Sequence, residues 1–548
     1  MRIAGGDGAH RKDTGWPWPR RQGQASDRMP RTGRLDSGPG FGPGRPPLRR
    51  TGLRRPAAIA CGMMKPGGAD MNADEIAWLG IDELQLAIAQ AEFGAREVTE
   101  AALARIDRLD PTLAAFSALW PERARQAAAR LDAAQKSGEP LGALQGVPVA
   151  VKDLCDVAGE PTRAGTTALG ELPAVENAEV VDRLEAAGAV ILGKVKMTEG
   201  AFVMHHESVT PPKNPWNADR WTGISSSGSG VSVAAGLCTA ALGTDTGGSI
   251  RYPSAACGLT GLKPTHGRVS LRGVYPLADS LDHIGPMTRS ATDTARIFSV
   301  LCGYDPRDPW SLAHNPSAAT ASALLRSVRG TKVGFDVRYC EEGVDASISR
   351  ALHGVLDVLR GLGVEVVEFS LPSIDEAIGV WFSLGSAEIA NAHADTYPSK
   401  KDQYSAALAQ TIETGRVVSG RDVAHAWKTR IAFTRRLEGC FEAGGETCPA
   451  SAPEGLDAIL APVIPGLFAA DTNLLDADAG PEVAASVRFT SPFNLSGSPS
   501  LTMPGGFDVE GAPIGFQLVG AHRAESKLLA IGAAYQAATD YHSRRPSL

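Results

Sequence analysis

A serine follows two glycines in the segment G-T-D-T-G-G-S-I-R-Y-P at residues 243–253, and this serine, Ser249, could attack a carbonyl carbon. Glycine carries no side-chain bulk, so consecutive backbone N–H groups beside Ser249 could turn toward one point. Such donors stabilise the negative oxygen that develops during acyl transfer. The segment predicts a nucleophile next to an oxyanion hole, and its alternative is a tight turn without chemistry.

Lys152 is the candidate base, because it ends an apolar run in the segment G-V-P-V-A-V-K at residues 146–152. A strand there would be hydrophobic up to Lys152, so the Lys152 ammonium group would project from hydrophobic surroundings. Burial of this kind lowers the pKa of a lysine. A free lysine is neutral about once in a thousand molecules at pH 7.4, and making it half neutral takes a fall in pKa of about three units. The alternative is a lysine that extends from a strand end into solvent.

A third segment, G-I-S-S-S-G-S-G at residues 223–230, precedes an Ala/Val-rich helical stretch through residues 231–236. Serines at such a junction commonly cap the helix, and a Gly/Ser loop there can also bind a phosphate. Considered alone, this segment indicates a helix cap.

Taken together, the three segments resemble the amidase signature family. The resemblance rests on Lys152 in G-x-P-x-x-x-K-D, on the serine-rich loop, and on the Ser249 segment followed by P-S-A-A-C-G-L-T-G-L-K-P-T to residue 265. It continues through N-P-W-N at 214–217, S-L-D-H-I-G-P at 280–286, F-N-L-S-G at 493–497 and P-I-G-F-Q at 513–517. It implies an α/β fold in which a large mixed, twisted β-sheet is covered by α-helices on both faces.

The resemblance also implies a Ser–cis-Ser–Lys triad with Ser249 as the nucleophile, Ser225 as the serine after a cis peptide bond, and Lys152 as the base. The family commonly has G-G-S-S-G-G-S in the relay loop, whereas this chain has G-I-S-S-S-G-S at residues 223–229. Three adjacent serines therefore leave Ser226 as an alternative to Ser225.

The implied reaction is hydrolysis of an amide C–N bond through an acyl-enzyme on Ser249, with protons passing through Ser225 to neutral Lys152. No metal or organic cofactor is required. The expected oxyanion donors are the backbone N–H groups of Thr246, Gly247, Gly248 and Ser249.

The substrate is expected to be a small aryl or aliphatic amide or anilide, and carbamates and esters share the same tetrahedral chemistry. Apart from Ser226, the candidate pocket residues lie near residues 202–206 and in the region of weakest resemblance, from about residue 300 to 485, although such aromatics are more often core residues. They are Phe202, Met204, His205, Ser226, Trp381, Phe382 and Tyr397, with His206 and Tyr404 as further candidates.

Two other functions remain open. The A subunit of the tRNA-dependent amidotransferase uses the same triad to release ammonia from glutamine, and a catalytically silent binding module would require a broken triad. A zinc protease is disfavoured, because His206-Glu207 begins the motif H-E-x-x-H without its second histidine.

Several regular elements can be predicted from hydrophobic periodicity. Helices are expected at residues 98–109, with Thr99 as the cap and Pro111 as the stop, and at 122–136 and 178–187. Strands are expected at residues 147–151, 190–195, 333–337, 459–463 and 515–519. Their alternation with helices indicates an α/β sheet.

Residues 1–70 are rich in Arg, Gly and Pro and show no periodicity, so we expect a disordered extension. The alternatives are an export signal and a later start at Met63, Met64 or Met71. Residues 72–548 are expected to form one domain, with a catalytic core at about 140–300, a variable pocket region at about 300–485 and a return to the core at 486–548.

Charge, hydropathy and cysteine spacing argue against a nucleic-acid-binding protein, a membrane protein and a protein built on zinc or disulfides. The net charge of -7 argues against a basic surface that binds nucleic acid. A membrane span would need a run of about 18 apolar residues, and the sequence contains no such run. The eight cysteines form no C-x-x-C pair, which favours a reducing, cytoplasmic setting over a zinc cluster or a disulfide framework. The expected partner is the small-molecule substrate, and a homodimer is left open.

Overall fold

The computed structural model describes residues 71–313, 324, 326–474 and 485–548, so the expectation for residues 1–70 lies outside the described part of the chain. Eleven strands of the described residues form one mixed sheet in the order β1-β3-β2-β4-β6-β5-β10-β11-β9-β7-β8. They are β1 Phe116–Leu119, β2 Pro148–Lys152, β3 Val190–Val195, β4 Ala240–Thr244, β5 Thr260–Lys263, β6 Ile284–Thr288, β7 Lys332–Phe335, β8 Glu365–Glu368, β9 Ala458–Pro462, β10 Ser500–Phe507 and β11 Pro513–Val519. The predicted α/β class with a large mixed sheet is confirmed.

The α-helices of the described residues lie between and after these strands. They are α1 Ala73–Ala77, α2 Ile81–Ala89, α3 Ala95–Leu113, α4 Pro121–Lys136, α5 Glu179–Ala186, α6 Ser227–Ala234, α7 Arg251–Ala256, α8 Ala291–Leu301, α9 Val337–Glu341, α10 Ala346–Gly361, α11 Asp375–Ala392, α12 Ala406–Arg416, α13 Gly420–Gly439, α14 Ser491–Leu495 and α15 Glu525–Ala537. No helix of the described residues has the length and apolar character needed to cross a membrane.

Both faces of the sheet are covered. Strands β2, β3, β4, β6, β9 and β11 are buried at every position. Because successive side chains of a strand point to opposite faces, burial at every position requires packing on both sides.

The centre of the sheet contains a topological switch. Strand β2 lies between β3 and β4 and runs parallel to both. From β2 the chain passes to β3 on one side and later to β4 on the other side. Loops that leave the carboxyl ends of such strands diverge and form a crevice, which is where open α/β sheets bind ligands. Lys152 ends β2 and Thr244 ends β4, so both residues lie at this crevice.

The predicted limits of helix α3 are wrong at both ends. Its N-cap is Gly94, whose N–H donates to the carboxylate of Glu97, while Thr99 lies inside the helix and donates its hydroxyl to a carbonyl one turn earlier. Pro111 lies in the last turn and the helix continues to Leu113. A capping acid in the first turn and a proline near the C-terminus both shift the limits that hydrophobic periodicity suggests.

Candidate active site

Lys152 is held at the carboxyl end of β2 with its side chain completely buried. Its Nζ lies 2.7 Å from the Oγ of Ser225 and 2.7 Å from the Oγ1 of Thr244. Burial lowers the pKa of Lys152 to about 7, although the charges of Cys155, Asp282 and Asp245 act in the opposite direction. A neutral amine in this position can accept a proton from the Ser225 hydroxyl while it donates to Thr244.

Ser225 is reached through a cis peptide bond between Ile224 and Ser225. The next serine has different contacts: the Oγ of Ser226 lies 3.3 Å from both the N and the O of Thr244. Lys152 therefore contacts Ser225, and Ser226 instead ties the start of helix α6 to the end of strand β4.

Ser249 lies in the loop between β4 and α7 and faces a cavity. Its residue surface is 9% exposed, and its hydroxyl forms no hydrogen bond with any residue that the structure describes. Ile224 lines the same cavity, so the cis peptide and Ser249 adjoin one space. A ligand in this cavity would meet the Ser249 oxygen directly.

A buried ion pair shapes the loop that carries Ser249. The Asp245 carboxylate accepts hydrogen bonds from the N–H groups of Gly248 at 2.8 Å and Ile250 at 3.0 Å. The guanidinium of Arg251 contacts both carboxylate oxygens at 2.9 and 3.0 Å, and both side chains are fully buried. Burial alone would raise the pKa of Asp245, but Arg251 holds it below its usual value. The ionised pair thus fixes both sides of Ser249.

The same contacts correct one predicted oxyanion donor. The Gly248 N–H is occupied by Asp245, so it does not face a ligand. The N–H groups of Thr246, Gly247 and Ser249 donate to no acceptor in the described part of the chain. These three groups are the donors that remain available.

Asp282 supports this loop from the other side. Its carboxylate accepts a 2.5 Å hydrogen bond from the Thr246 hydroxyl and bonds of 2.9 and 3.1 Å from the N–H groups of Leu277 and Ala278. Burial raises the pKa of Asp282 to about 7. Asp282 therefore joins the Ser249 loop to a segment that forms part of the cavity wall.

The cavity beside Ser249 has a volume of about 410 Å³ and no charged side chain among its described lining residues. Aliphatic and aromatic groups form most of its wall, among them Phe202, Leu277, Leu281, Ile378, Trp381 and Ile389. Such a surface gains free energy by burying apolar groups and offers no partner to a charge.

Three of the predicted pocket residues line this cavity, namely Phe202, Trp381 and Phe382. The other four, which are Met204, His205, Ser226 and Tyr397, are not among its lining residues.

His205 and Tyr397 are instead engaged elsewhere. The Nε2 of His205 lies 2.9 Å from the Oγ of Ser227, and burial lowers the pKa of His205 to about 4. The hydroxyl of Tyr397 donates to Glu413 at 2.7 Å. The structure therefore corrects their placement in the pocket.

His206 and Tyr404, the further candidates, also lie outside the cavity lining. The Nδ1 of His206 is 2.7 Å from the Oγ of Ser208, and the Tyr404 hydroxyl is 3.1 Å from the Nδ1 of His393. Both side chains are engaged in hydrogen bonds away from the cavity.

Four polar residues of the site were not singled out from the sequence: Thr244, Asp245, Arg251 and Asp282. Each lies inside one of the motifs that carry the family resemblance, and the charged residues contrast with the Gly, Ser and Thr residues around them. Paired charges in so apolar a segment are a signal for a buried ion pair, because an unpaired charge would be too costly to bury.

Among the described residues, no group of three or more His, Cys, Asp or Glu side chains is placed to hold a metal ion.

Comparison with known proteins gives concordant results. A sequence model of the family Amidase matches residues 97–529. A relative from Mycobacterium tuberculosis, named "Putative amidase AmiD", is 39% identical over 478 residues, which are 87% of this chain and 97% of the relative. The A subunit of the glutamyl-tRNA(Gln) amidotransferase of Chloroflexus aggregans is 36% identical over 490 residues, which are 86% of this chain and 99% of that protein. A crystal structure of an amidase aligns with a TM-score of 0.72 at 32% identity and covers 84% of this chain and 99% of the other.

Proposed function

This chain belongs to the amidase family and is a hydrolase of amide C–N bonds, and we propose that it cleaves small apolar amides through an acyl-enzyme on Ser249. The observation that carries the proposal is the 2.7 Å contact between Lys152 and Ser225 in a fully buried site. A base held next to a hydroxyl, with a second hydroxyl facing a cavity, is the arrangement that nucleophilic acyl transfer needs.

In the first step neutral Lys152 accepts the Ser225 proton. The Ser249 hydroxyl, which has no hydrogen-bond partner among the described residues, turns to Ser225 and gives it a proton, and the Ser249 oxygen attacks the amide carbonyl. The attack forms a C–O bond and moves the carbonyl electron pair onto oxygen. The N–H groups of Thr246, Gly247 and Ser249 are the donors for that oxygen, each worth about 3–4 kcal/mol where a single donor has been removed in other enzymes.

In the second step the oxygen electron pair returns and the C–N bond breaks. The proton held on Lys152 passes back through Ser225 to the leaving nitrogen, so that an amine or ammonia departs. Water then attacks the ester on Ser249 with the same base, and the carboxylic acid is released.

The character of the cavity supports an apolar substrate. Its described lining residues carry no charge, so a charged group entering it would lose its hydration without gaining a partner, at a cost of several kcal/mol. Anilides, aryl amides and apolar carbamates or esters fit this surface.

The second candidate is the glutamine-hydrolysing subunit of an amidotransferase, which the 36% identity to such a protein supports. Free glutamine carries an ammonium and a carboxylate, and the uncharged cavity argues against it as the preferred substrate. A silent binding module is disfavoured, because Lys152, Ser225 and Ser249 are all present.

The test is a comparison of kcat/KM for p-nitroanilides of apolar acids, aryl carbamates, nitrophenyl esters and free glutamine. We expect the apolar p-nitroanilides to exceed glutamine by about 100-fold or more, since specific partners for the charges are absent. The Ser249→Ala variant should lose turnover of every substrate. Robust ammonia release from glutamine that a partner protein stimulates would favour the second candidate, and full activity of Ser249→Ala would refute both.

A further inference from the structure

Trp381 makes two contacts that connect the cavity wall to the Ser249 loop. It lies on helix α11, and its ring lines the cavity. Its indole Nε1–H donates to the carbonyl oxygen of Thr246 at 2.9 Å. A Cβ on Gly247 would lie only 2.5 Å from the Cζ2 of Trp381, so the ring is packed directly on the backbone of the loop.

The indole bond determines where an oxyanion donor points. The bond between Thr246 and Gly247 is not among the cis peptides of the described chain. In a trans peptide the C=O and N–H groups point in opposite directions. A Thr246 carbonyl that is held by Trp381 therefore directs the Gly247 N–H to the opposite side of the loop.

The neighbouring peptide is held differently. The Gly247 carbonyl accepts a 2.5 Å bond from the hydroxyl of Thr490, and the N–H of the same peptide, on Gly248, donates to Asp245 at 2.8 Å. That peptide is thus fixed at both ends by protein groups. The Thr246–Gly247 peptide is fixed at its carbonyl end, and its N–H has no acceptor in the described part of the chain.

The other donors depend on the core of the molecule. The Gly248 carbonyl, which belongs to the same peptide as the Ser249 N–H, accepts from the N–H of Tyr252 at 2.7 Å. The Asp245 carbonyl, which precedes the Thr246 N–H, accepts from Asn494 at 2.9 Å. Of the three N–H donors, only that of Gly247 is oriented by a side chain that also lines the cavity, namely Trp381.

We propose that Trp381 is a positioning residue for the oxyanion hole, because its indole N–H orients the Gly247 N–H while its ring forms part of the acyl-binding wall. The proposal rests on the proposed function. An acyl group in the cavity would pack on the Trp381 ring, and the same side chain holds the Ser249 loop. Filling of the cavity and alignment of the Gly247 N–H are therefore linked.

Two substitutions separate the two roles. Trp381→Phe keeps an aromatic ring in the wall and removes the donor. Trp381→His keeps an N–H at the same place in its five-membered ring, since the His Nε2 corresponds to the Trp Nε1, and removes the six-membered ring. Thr490→Val is the comparison variant. It removes the side-chain bonds of Thr490 to the Tyr252 hydroxyl and to the next carbonyl, whose peptide remains fixed at its N–H by Asp245.

The experiment measures kcat and KM for butyryl p-nitroanilide, and the inhibition constant of a trifluoromethyl ketone with the same acyl chain, which binds as an oxyanion. Trp381→Phe should lower kcat about 10- to 100-fold and weaken the ketone in parallel, with KM within about threefold of wild type. Trp381→His should keep kcat within about threefold and raise KM, and Thr490→Val should lower kcat by less than about threefold.

Wild-type kcat with a raised KM in Trp381→Phe would overturn the proposal, as would equal losses of kcat in Trp381→Phe and Thr490→Val. Thermal unfolding shows which variants fold, and if Trp381→Phe does not, a loss of kcat above about tenfold in folded Trp381→His is the contradicting result. Wild-type turnover and its loss in Ser249→Ala test the proposed function separately.

Discussion

At the scale of single residues, the buried amine of Lys152 sets the pH range of the reaction. Its pKa is lowered to about 7 by burial, and the reactive form is the neutral amine. Protonation therefore removes the base as the pH falls through this value. We expect kcat/KM to fall tenfold per unit below about pH 7 and to level off above it.

The measurement is a pH profile of kcat/KM between pH 5.5 and 9 with an uncharged p-nitroanilide. Lys152→Met should lose activity at every pH, because methionine fills the space without providing a base. A flat profile between pH 6 and 8, or an active Lys152→Met, would exclude Lys152 as the base.

Asp282 gives a second prediction at this scale. Its carboxylate, which is partly ionised near pH 7 because burial raises its pKa to about 7, raises the pKa of Lys152 when it is charged. Asp282→Asn should therefore move the inflection of the kcat/KM profile toward lower pH. Asparagine can still accept from the N–H groups of Leu277 and Ala278 through its carbonyl. Asp107, an exposed aspartate of helix α3, is the control, and Asp107→Asn should leave the inflection in place. An upward shift in Asp282→Asn would contradict the electrostatic argument.

The sequence placed Lys152 and Ser249 through local patterns, an apolar run ending in lysine and a Gly-Gly-Ser segment. It could not assign Gly248, because that requires knowing that the Asp245 side chain folds back onto the Gly248 N–H. Nor could it place Tyr397 away from the cavity, since its partner Glu413 is distant from the motifs. Side-chain contacts of this kind are decided by tertiary packing.

At the scale of elements, the loop between β4 and α7 depends on the Asp245–Arg251 pair. Arg251→Met would leave the Asp245 carboxylate buried without its cation, which typically costs about 3–5 kcal/mol. The free energy of unfolding in urea should fall by this amount. Arg296 also pairs with an aspartate, Asp82, but both side chains are largely exposed, so Arg296→Met should cost less than about 1 kcal/mol. Equal losses in the two variants would show that the buried pair does not stabilise the loop.

Strands with Val and Ile were predictable, and β2 and β3 lie within one residue of their expected limits. Strand β4, with the sequence A-A-L-G-T, was missed, because Ala and Gly have weak preference for strands. Strand β6 contains a proline, which ordinarily argues against a strand interior. In both strands every residue is buried, so burial in the centre of the sheet outweighs local preference.

At the scale of the whole molecule, the eleven strands and the site all lie between residues 116 and 519. We therefore expect a chain that begins at Met71 to fold and to retain kcat/KM within about twofold of the full chain, because no residue of the sheet or site is removed. Urea unfolding should give the same midpoint for both chains. A tenfold loss of activity or a lower midpoint would show that residues 1–70 contribute to the domain.

The central claim is that Ser249 carries the acyl group. The direct measurement is mass spectrometry of the protein after reaction with p-nitrophenyl N-butylcarbamate, followed by peptide mapping. We expect a burst of one equivalent of nitrophenol, one butylcarbamoyl group on Ser249 in protein quenched with acid during the reaction, and no addition in Ser249→Ala. Labelling of another residue in the wild-type protein, or equal labelling of Ser249→Ala, would contradict the claim.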